Sequence, residues 1–175
     1  MHAGNDTYEI RAALCRIDDK PGFLQRLKET ARGFNTHIIC FNADMLAGRR
    51  HAESAVIHAV RSFNAGDAIS NTLEMEALLY ASGSRQCNIA ISFGLHVGEN
   101  RLWVCCYPLQ KGVWNALMSI VNFHDDKTWD RIDCVKRKKL MQIFDITPEE
   151  FGSLDDQERF SDLVLERVAM LDVLR

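Results

Sequence analysis

Apolar positions recur along this chain at two periods, and each period predicts its own kind of element. Tyr8, Ile10, Ala12 and Leu14 alternate against Glu9, Arg11 and Ala13, which predicts a strand over Tyr8 to Ile17 with one covered face. Asp18 and Asp19 close it. Pro21 then opens a helix that runs to about Arg32, buries Phe23, Leu24, Leu27 and Ala31, and is expected to stop at Gly33. Thr36 to Phe41 is short, apolar and β-branched, a second strand, and Asn42 after it suits the cap of a central helix. In that helix Met45, Ala52, Ala55, Val56, Ala59, Val60 and Phe63 recur mostly three and four apart, the spacing of one buried face. Arg101 to Tyr107 is a further strand before Pro108.

Between these anchors the pattern is less uniform. Leu73, Met75, Ala77 and Leu79 alternate with Glu74 and Glu76 as in a strand, yet Asn71 to Glu74 resembles a helix start and LEMEALLYA has high helical propensity. Cys87 to Phe93 predicts a short helix closed by Gly94. Val113 to Phe123 and Arg131 to Phe144 are expected to be helical, and Thr147, Pro148 and Glu150 mark another helix start. The last segment, ERFSDLVLERVAMLDVLR, is apolar nearly all round, from Phe160 through Val173 and Leu174. Such a helix is either buried centrally or docks on a partner, with Leu163, Val164, Val168 and Leu171 as the docking candidates. The whole predicts one domain over residues 1–175, of α/β class, with a small mixed β-sheet packed by helices.

Composition narrows the function. With 175 residues and 47% hydrophobic content the chain builds a sizeable core, and a net charge of −3 excludes bulk attraction to nucleic acid, so any such contact needs a local patch. Six cysteines are scattered without a CxxC pair and fit reduced, buried side chains. The beginning, MHAGNDTYEI, has no signal-peptide core, and no apolar run reaches 18 residues; a cytoplasmic protein with no membrane contact is expected.

Local basic patches do occur. Arg49, Arg50, His51, His58 and Arg61 fall among the polar positions of the central helix, a face that suits phosphate, and Ser82, Ser84, Arg85 and Gln86 form a turn rich in donors. Ordinary capping by the serines and a merely solvated basic face are the competing readings. The run Lys136 to Lys139 spreads around its helix and is expected to face solvent. There is no P-loop, dinucleotide fingerprint, GxSxG elbow or metal-ligand cluster. His51 and His58 lie about 10 Å apart along a helix, too far to share one ion. No catalytic residue, cofactor or metal is therefore expected.

The runs LAGRRHAESAVIHAVRSF, ISNTLEMEALLYASGSRQ, FGLHVGENRLWVCCYP and LVLERVAMLDVL resemble, in that order, the archaeal form of the tRNA-tethering subunit of the KEOPS complex, the family of the p53-related-protein-kinase-binding protein. Only Leu109 to Glu158 is weakly matched. Ser84 and Cys87 depart from the acidic and aliphatic residues expected there. The resemblance implies a non-catalytic regulatory subunit that assists threonylcarbamoyladenosine formation on tRNA, binds the kinase-like ATPase of the complex and captures the 3′ CCA end of tRNA. It also tips residues 73–81 to a strand, because related chains carry β-rich residues there. Arg49, Arg50, His51, His58, Arg61, Arg85 and Gln86 are then expected to form one tRNA-end site at a shared edge of the sheet. The alternative is a kinase-activating subunit with no direct tRNA contact.

Overall fold

A computed structural model describes residues 7–124, 127–152 and 156–173. Strand β1 (Glu9–Ile17) is followed by helix α1 (Lys20–Phe34), β2 (His37–Asn42), α2 (Arg49–Ala65), α3 (Leu73–Ser82) and the short α4 (Cys87–Ala90). Then come β3 (Gly98–Tyr107), α5 (Val113–Leu117), β4 (Asn122–His124), α6 (Cys134–Ile143), α7 (Pro148–Phe151) and α8 (Gln157–Met170). The strands form one sheet in the order β2-β3-β1-β4. Helices pack on it as expected for an α/β fold, and every pairing among the described residues is antiparallel, where a mixed sheet was expected.

Alternation in β1 and β3 separates two apolar layers. Ile10 and Ala12 join Ile39, Phe41, Trp103 and Cys105 beneath α2, α3 and α8. Ala13, Cys15 and Ile17 join Ile38, Cys40, Leu102 and Val104 beneath α1 and α5. Burial pushes the Cys15 thiol up to about 11 and that of Cys106 to about 12, and raises Cys40 and Cys105 as well, so these sulfurs behave as small hydrophobes.

Several local expectations need correcting. Residues 73–81 are helical. The Thr72 hydroxyl accepts from the Met75 amide at 3.3 Å as an N-cap, and the buried set Leu73, Glu76, Ala77 and Tyr80 follows helical spacing. Glu76, half of the apparent alternation, is fully buried: it accepts from Ser62 Oγ at 3.0 Å and from the Ile69 and Ser70 amides at 2.9 and 2.8 Å. Asn42 caps a single 3-10 turn, Ala43–Met45, by accepting from the Asp44 amide. The central helix starts later, behind Gly48. The α1 helix runs past Gly33 to Phe34 and is stopped by Asn35 in the left-handed region. Helix in the 113–123 segment ends at Leu117, and Asn122 to His124 leave as β4 to pair with Ala12 to Leu14.

The last helix resolves its two alternatives inward. Phe160, Val164, Val168 and Leu171 are at most 1% exposed and belong to the layer beneath α2 and α3. At about 1.5–3 kcal/mol per buried side chain, these four hold α8 to the fold. Leu174, read as part of the same apolar surface, lies outside the described residues. Among the described residues no helix is long and apolar enough to cross a membrane.

Candidate functional site

The basic residues of α2 do not share one face. The buried stripe of this helix is His51, Ala52, Ala55, Val56, Ala59 and Ser62, so His51 belongs to the core and leaves the expected site. Its Nδ1 accepts from the Ala47 amide at 3.1 Å, and Nε2 faces the Ala81 carbonyl at 2.9 Å, which makes it a donor there. Burial lowers its pKa to about 4; the Ala81 carbonyl opposes this and nearby Lys136 adds to it. His51 is thus a neutral tie between the start of α2 and the end of α3.

Arg50, His58 and Arg61 face α8 and are met by carboxylates. Arg50 Nη2 pairs with Asp162 at 3.1 Å, and His58 Nδ1 and Arg61 Nη2 both reach Asp172 Oδ2 at 2.8 Å. The Tyr80 hydroxyl also donates to Asp172, and His58 stacks on the Tyr80 ring at 5.3 Å. Partial burial works to raise the Asp172 pKa, but the hydrogen bonds from Tyr80 and His58 and the charge of Arg61 outweigh it and hold the carboxyl below its usual range. Arg50 and Arg61, eleven residues apart, are separated by about 16 Å along the helix. One phosphate cannot touch both.

The turn after α3 is likewise partly occupied. Ser82 is buried with its hydroxyl on the Leu79 carbonyl, and Ser84 Oγ accepts from the Gln86 amide at 3.1 Å. Arg85 and Gln86 are exposed. Gly83 caps α3 at φ 60, where a Cβ would press on the Phe144 ring at 3.3 Å. Because His51 ties Ala81 to the start of α2, this turn lies at the Arg50 end of the central helix and away from Arg61.

The remaining candidates also divide. Val164, Val168 and Leu171, expected to dock on a partner, are spent on the chain's own core, and Leu163 is packed partly against it. Among the described residues, the exposed large apolar ones at that end are Met170 and Val173. Lys136, expected in solvent, is buried with Nζ 3.3 Å from the Trp129 carbonyl, and desolvation lowers its pKa to about 8. Lys138 and Lys139 are exposed.

Arg61 also borders a cavity, with Tyr8, Ile57 and Tyr107, but Arg49, whose Nε pairs with Glu53 at 3.0 Å, opens onto the one that gathers further cations. Because β4 covers only Ala12 to Leu14, the Glu9–Arg11 edge of β1 is left beside a notch of about 530 Å³. Arg11, Arg49, His124 and Lys127 line it together with the Trp103 and Phe123 rings. Two carboxylates also line it and are engaged. Glu9 accepts from Arg11 Nε at 2.7 Å and Trp114 Nε1 at 2.8 Å, and Asp130 accepts from the Arg49 amide at 2.7 Å. Gly48 makes the Asp130 approach possible: at φ 81, a Cβ there would meet Asp130 Oδ1 at 2.9 Å. Sequence reasoning missed Arg11, His124 and Lys127, since β4 was hidden in a segment read as helix; the alternation of Val121 and Phe123 with Asn122 and His124 was the available signal.

These features define a small α/β protein in which most basic groups of the central helix are matched by internal carboxylates and a cationic, aromatic notch remains at one sheet edge. Among the described residues no cluster of His, Cys, Asp and Glu is placed to hold a metal ion. The chain belongs to the family of kinase binding protein CGI-121, which it matches over residues 15–172. It is similar to the regulatory protein Cgi121 of Methanocaldococcus jannaschii, with 26% identity over 132 residues covering 75% of this chain and 81% of that protein.

Proposed function

We propose that this chain is a non-catalytic regulatory subunit of a KEOPS-type complex for threonylcarbamoyladenosine formation on tRNA, binding both its kinase-like ATPase and the 3′ CCA end of the substrate. The observation that carries the kinase half is the match to a kinase binding protein family over residues 15–172. The tRNA half rests on the notch. Single-stranded ends are held by cations on phosphates and by stacking on aromatic faces; Arg11, Arg49 and Lys127 supply the cations, and the rings of Phe123 and His124 the accessible faces, with Trp103 buried beneath them. Of the residues first expected to receive the tRNA end, Arg49, Arg85 and Gln86 stay in the proposal. Arg50, His58 and Arg61 serve the α8 seam and His51 the core.

The test is binding of labelled tRNA with and without its CCA end, alongside ATPase stimulation of the kinase partner. Lys127→Glu and Arg49→Glu should weaken CCA-dependent binding more than Arg61→Glu, and for every phosphate that is no longer neutralised the log-log salt slope should shrink by about 0.7. A second reading, kinase activation without tRNA contact, is favoured by the engagement of Arg50, His58 and Arg61 with Asp162 and Asp172. It prevails if stimulation is retained while removal of CCA leaves affinity unchanged.

A further inference from the structure

Strand β2 is one of the two edge strands of the sheet, hydrogen-bonded among the described residues to β3 alone. In an antiparallel pair every second residue turns its N–H and C=O away from the partner, so the far side of β2 carries a row of main-chain donors and acceptors, reached only through the narrow opening that leaves Ile38, Cys40 and Asn42 6–8% exposed. This edge opens into a groove of about 570 Å³ lined by Leu24 and Ala31 of α1, Met75 and Leu78 of α3, and Ile91 and Leu95 beyond α4. Phe23 and Leu27 of α1 pack with Ile38 and Cys40 on one face of the sheet, whereas Leu73 and Ala77 of α3 pack with Ile39 and Phe41 on the other. A groove walled by both helices therefore straddles the edge itself. Its apolar lining is partly open, with Ile91 48% exposed.

Charge on the two rims is unequal. Lys20 and Lys28 line the α1 side. The carboxylate on the α3 side, Glu74, is paired with His37 Nδ1 at 2.9 Å. Eight residues of helix separate the two lysines by about 12 Å, close to the roughly 13 Å between residues four apart in an extended strand.

We propose that the β2 edge is a docking site for an extended segment of a partner protein, in which apolar residues alternate with polar ones and two carboxylates stand four residues apart. The segment adds a fifth strand beside β2, turns its apolar side chains toward Met75, Leu78 and Ile91, and sets its carboxylates against Lys20 and Lys28. A second copy of this chain is a poorer occupant. Its own edge is recessed between two helices, and a two-fold pairing would bring each lysine pair toward its counterpart. The inference stands apart from the tRNA reading and from the identity of the kinase.

The probe is a fluorescein-labelled eight-residue peptide with valine at every second position and two glutamates four residues apart among threonines, titrated against the full chain by anisotropy. Saturable binding should weaken at least tenfold when the glutamates become lysines, and Lys28→Glu should invert that preference. N-methylation of the alternate peptide amides that face β2 should abolish binding, whereas methylation shifted by one residue should not. Ile91→Asp, at an exposed position, should lose binding with its thermal unfolding unchanged. No saturable binding, no inversion by Lys28→Glu, or indifference to the methylation register overturns the proposal. Self-association of the unliganded chain that Ile91→Asp dissolves overturns it in favour of a second copy.

Discussion

His51 makes the stability of this fold depend on mild acid. Its folded pKa of about 4 lies below the value of roughly 6.5 for an unfolded histidine, so the unfolded chain binds a proton that the folded chain refuses. Stability is therefore complete above about pH 7 and is lost as pH falls toward 4. From these two values the loss between pH 8 and pH 5 is about 2 kcal/mol, approaching 3 kcal/mol near pH 4. Burial is the main cause, and Lys136 adds to it; the geometry agrees, since protonating Nδ1 would aim a proton at the Ala47 amide, which now donates to it.

The assay is urea denaturation of the wild type and of His51→Gln at pH 8 and pH 5. With a slope near 2 kcal/mol per molar, the wild-type midpoint should fall by about 1 M more than that of the variant. The difference matters because other groups titrate too. His37 has its pKa raised, mainly by its hydrogen bond to Glu74, so it favours the folded state below its unfolded pKa and loses that contribution as pH rises. Being present in both proteins, it cancels. Equal midpoint shifts in the two proteins, or a His51 imidazole seen by NMR to titrate above pH 6, would refute the argument.

Three further outcomes are expected. Lys136→Met should stabilise the protein at pH 7 by roughly 1–3 kcal/mol, because a lysine lowered to about 8 by burial opposes folding while protonated; the gain in melting temperature should shrink as pH rises from 8 to 10. Glu76→Ala should cost about 3 kcal/mol or more, since it strands two backbone donors and a hydroxyl, and the Ile69 and Ser70 amides should lose hydrogen-exchange protection. Asp172→Asn should cost only about 1 kcal/mol globally and speed exchange at the end of α8, leaving the α2 and α3 amides protected.

Alternation made β1 legible in the sequence, a short β-branched apolar run β2, and the run before Pro108 β3, and the spacing of Ala52, Ala55, Val56 and Ala59 fixed the buried side of α2. The same spacing contained His51 and Ser62, because the stripe continues through 51, 52, 55, 56, 59 and 62. Residue type misled where position was informative. A histidine following two arginines reads as basic surface, although its phase on the helix puts it inward. At 73–81 the residues carried both periods, and the Thr72 cap with its high-propensity followers favoured helix, whereas the family resemblance pointed to strand. Glu76 completed the false alternation because a buried carboxylate looks like any other polar position until its donors are known. Those donors, Ser62 and the Ile69–Ser70 amides, come from the preceding helix and loop, and nothing local in the sequence announces them.

The α2 basic face shows most directly why charge patterns in sequence underdetermine binding. Arg50 and Arg61 are eleven residues apart on one helix, and Asp162 and Asp172 are ten apart on the segment packed beside it, so the two rows meet with nearly equal spacings of about 15–16 Å. Each exposed pair is worth only about 0–1 kcal/mol, far less than the burial of Phe160, Val164, Val168 and Leu171. The pairs therefore do not hold α8 in place; they fix its register and discharge the face it covers. A phosphate approaching Arg61 would have to displace Asp172, which Tyr80 and His58 keep in position, or accept its repulsion. At the notch, by contrast, Asp130 is already turned to the backbone amide of Arg49 and Glu9 to Arg11 and Trp114. Arg11 and Arg49 keep their own carboxylates, Glu9 and Glu53, but the notch adds Lys127 and His124 to them, which is why Lys127→Glu, and not Arg61→Glu, is the substitution that separates a tRNA-binding subunit from one that only activates its kinase.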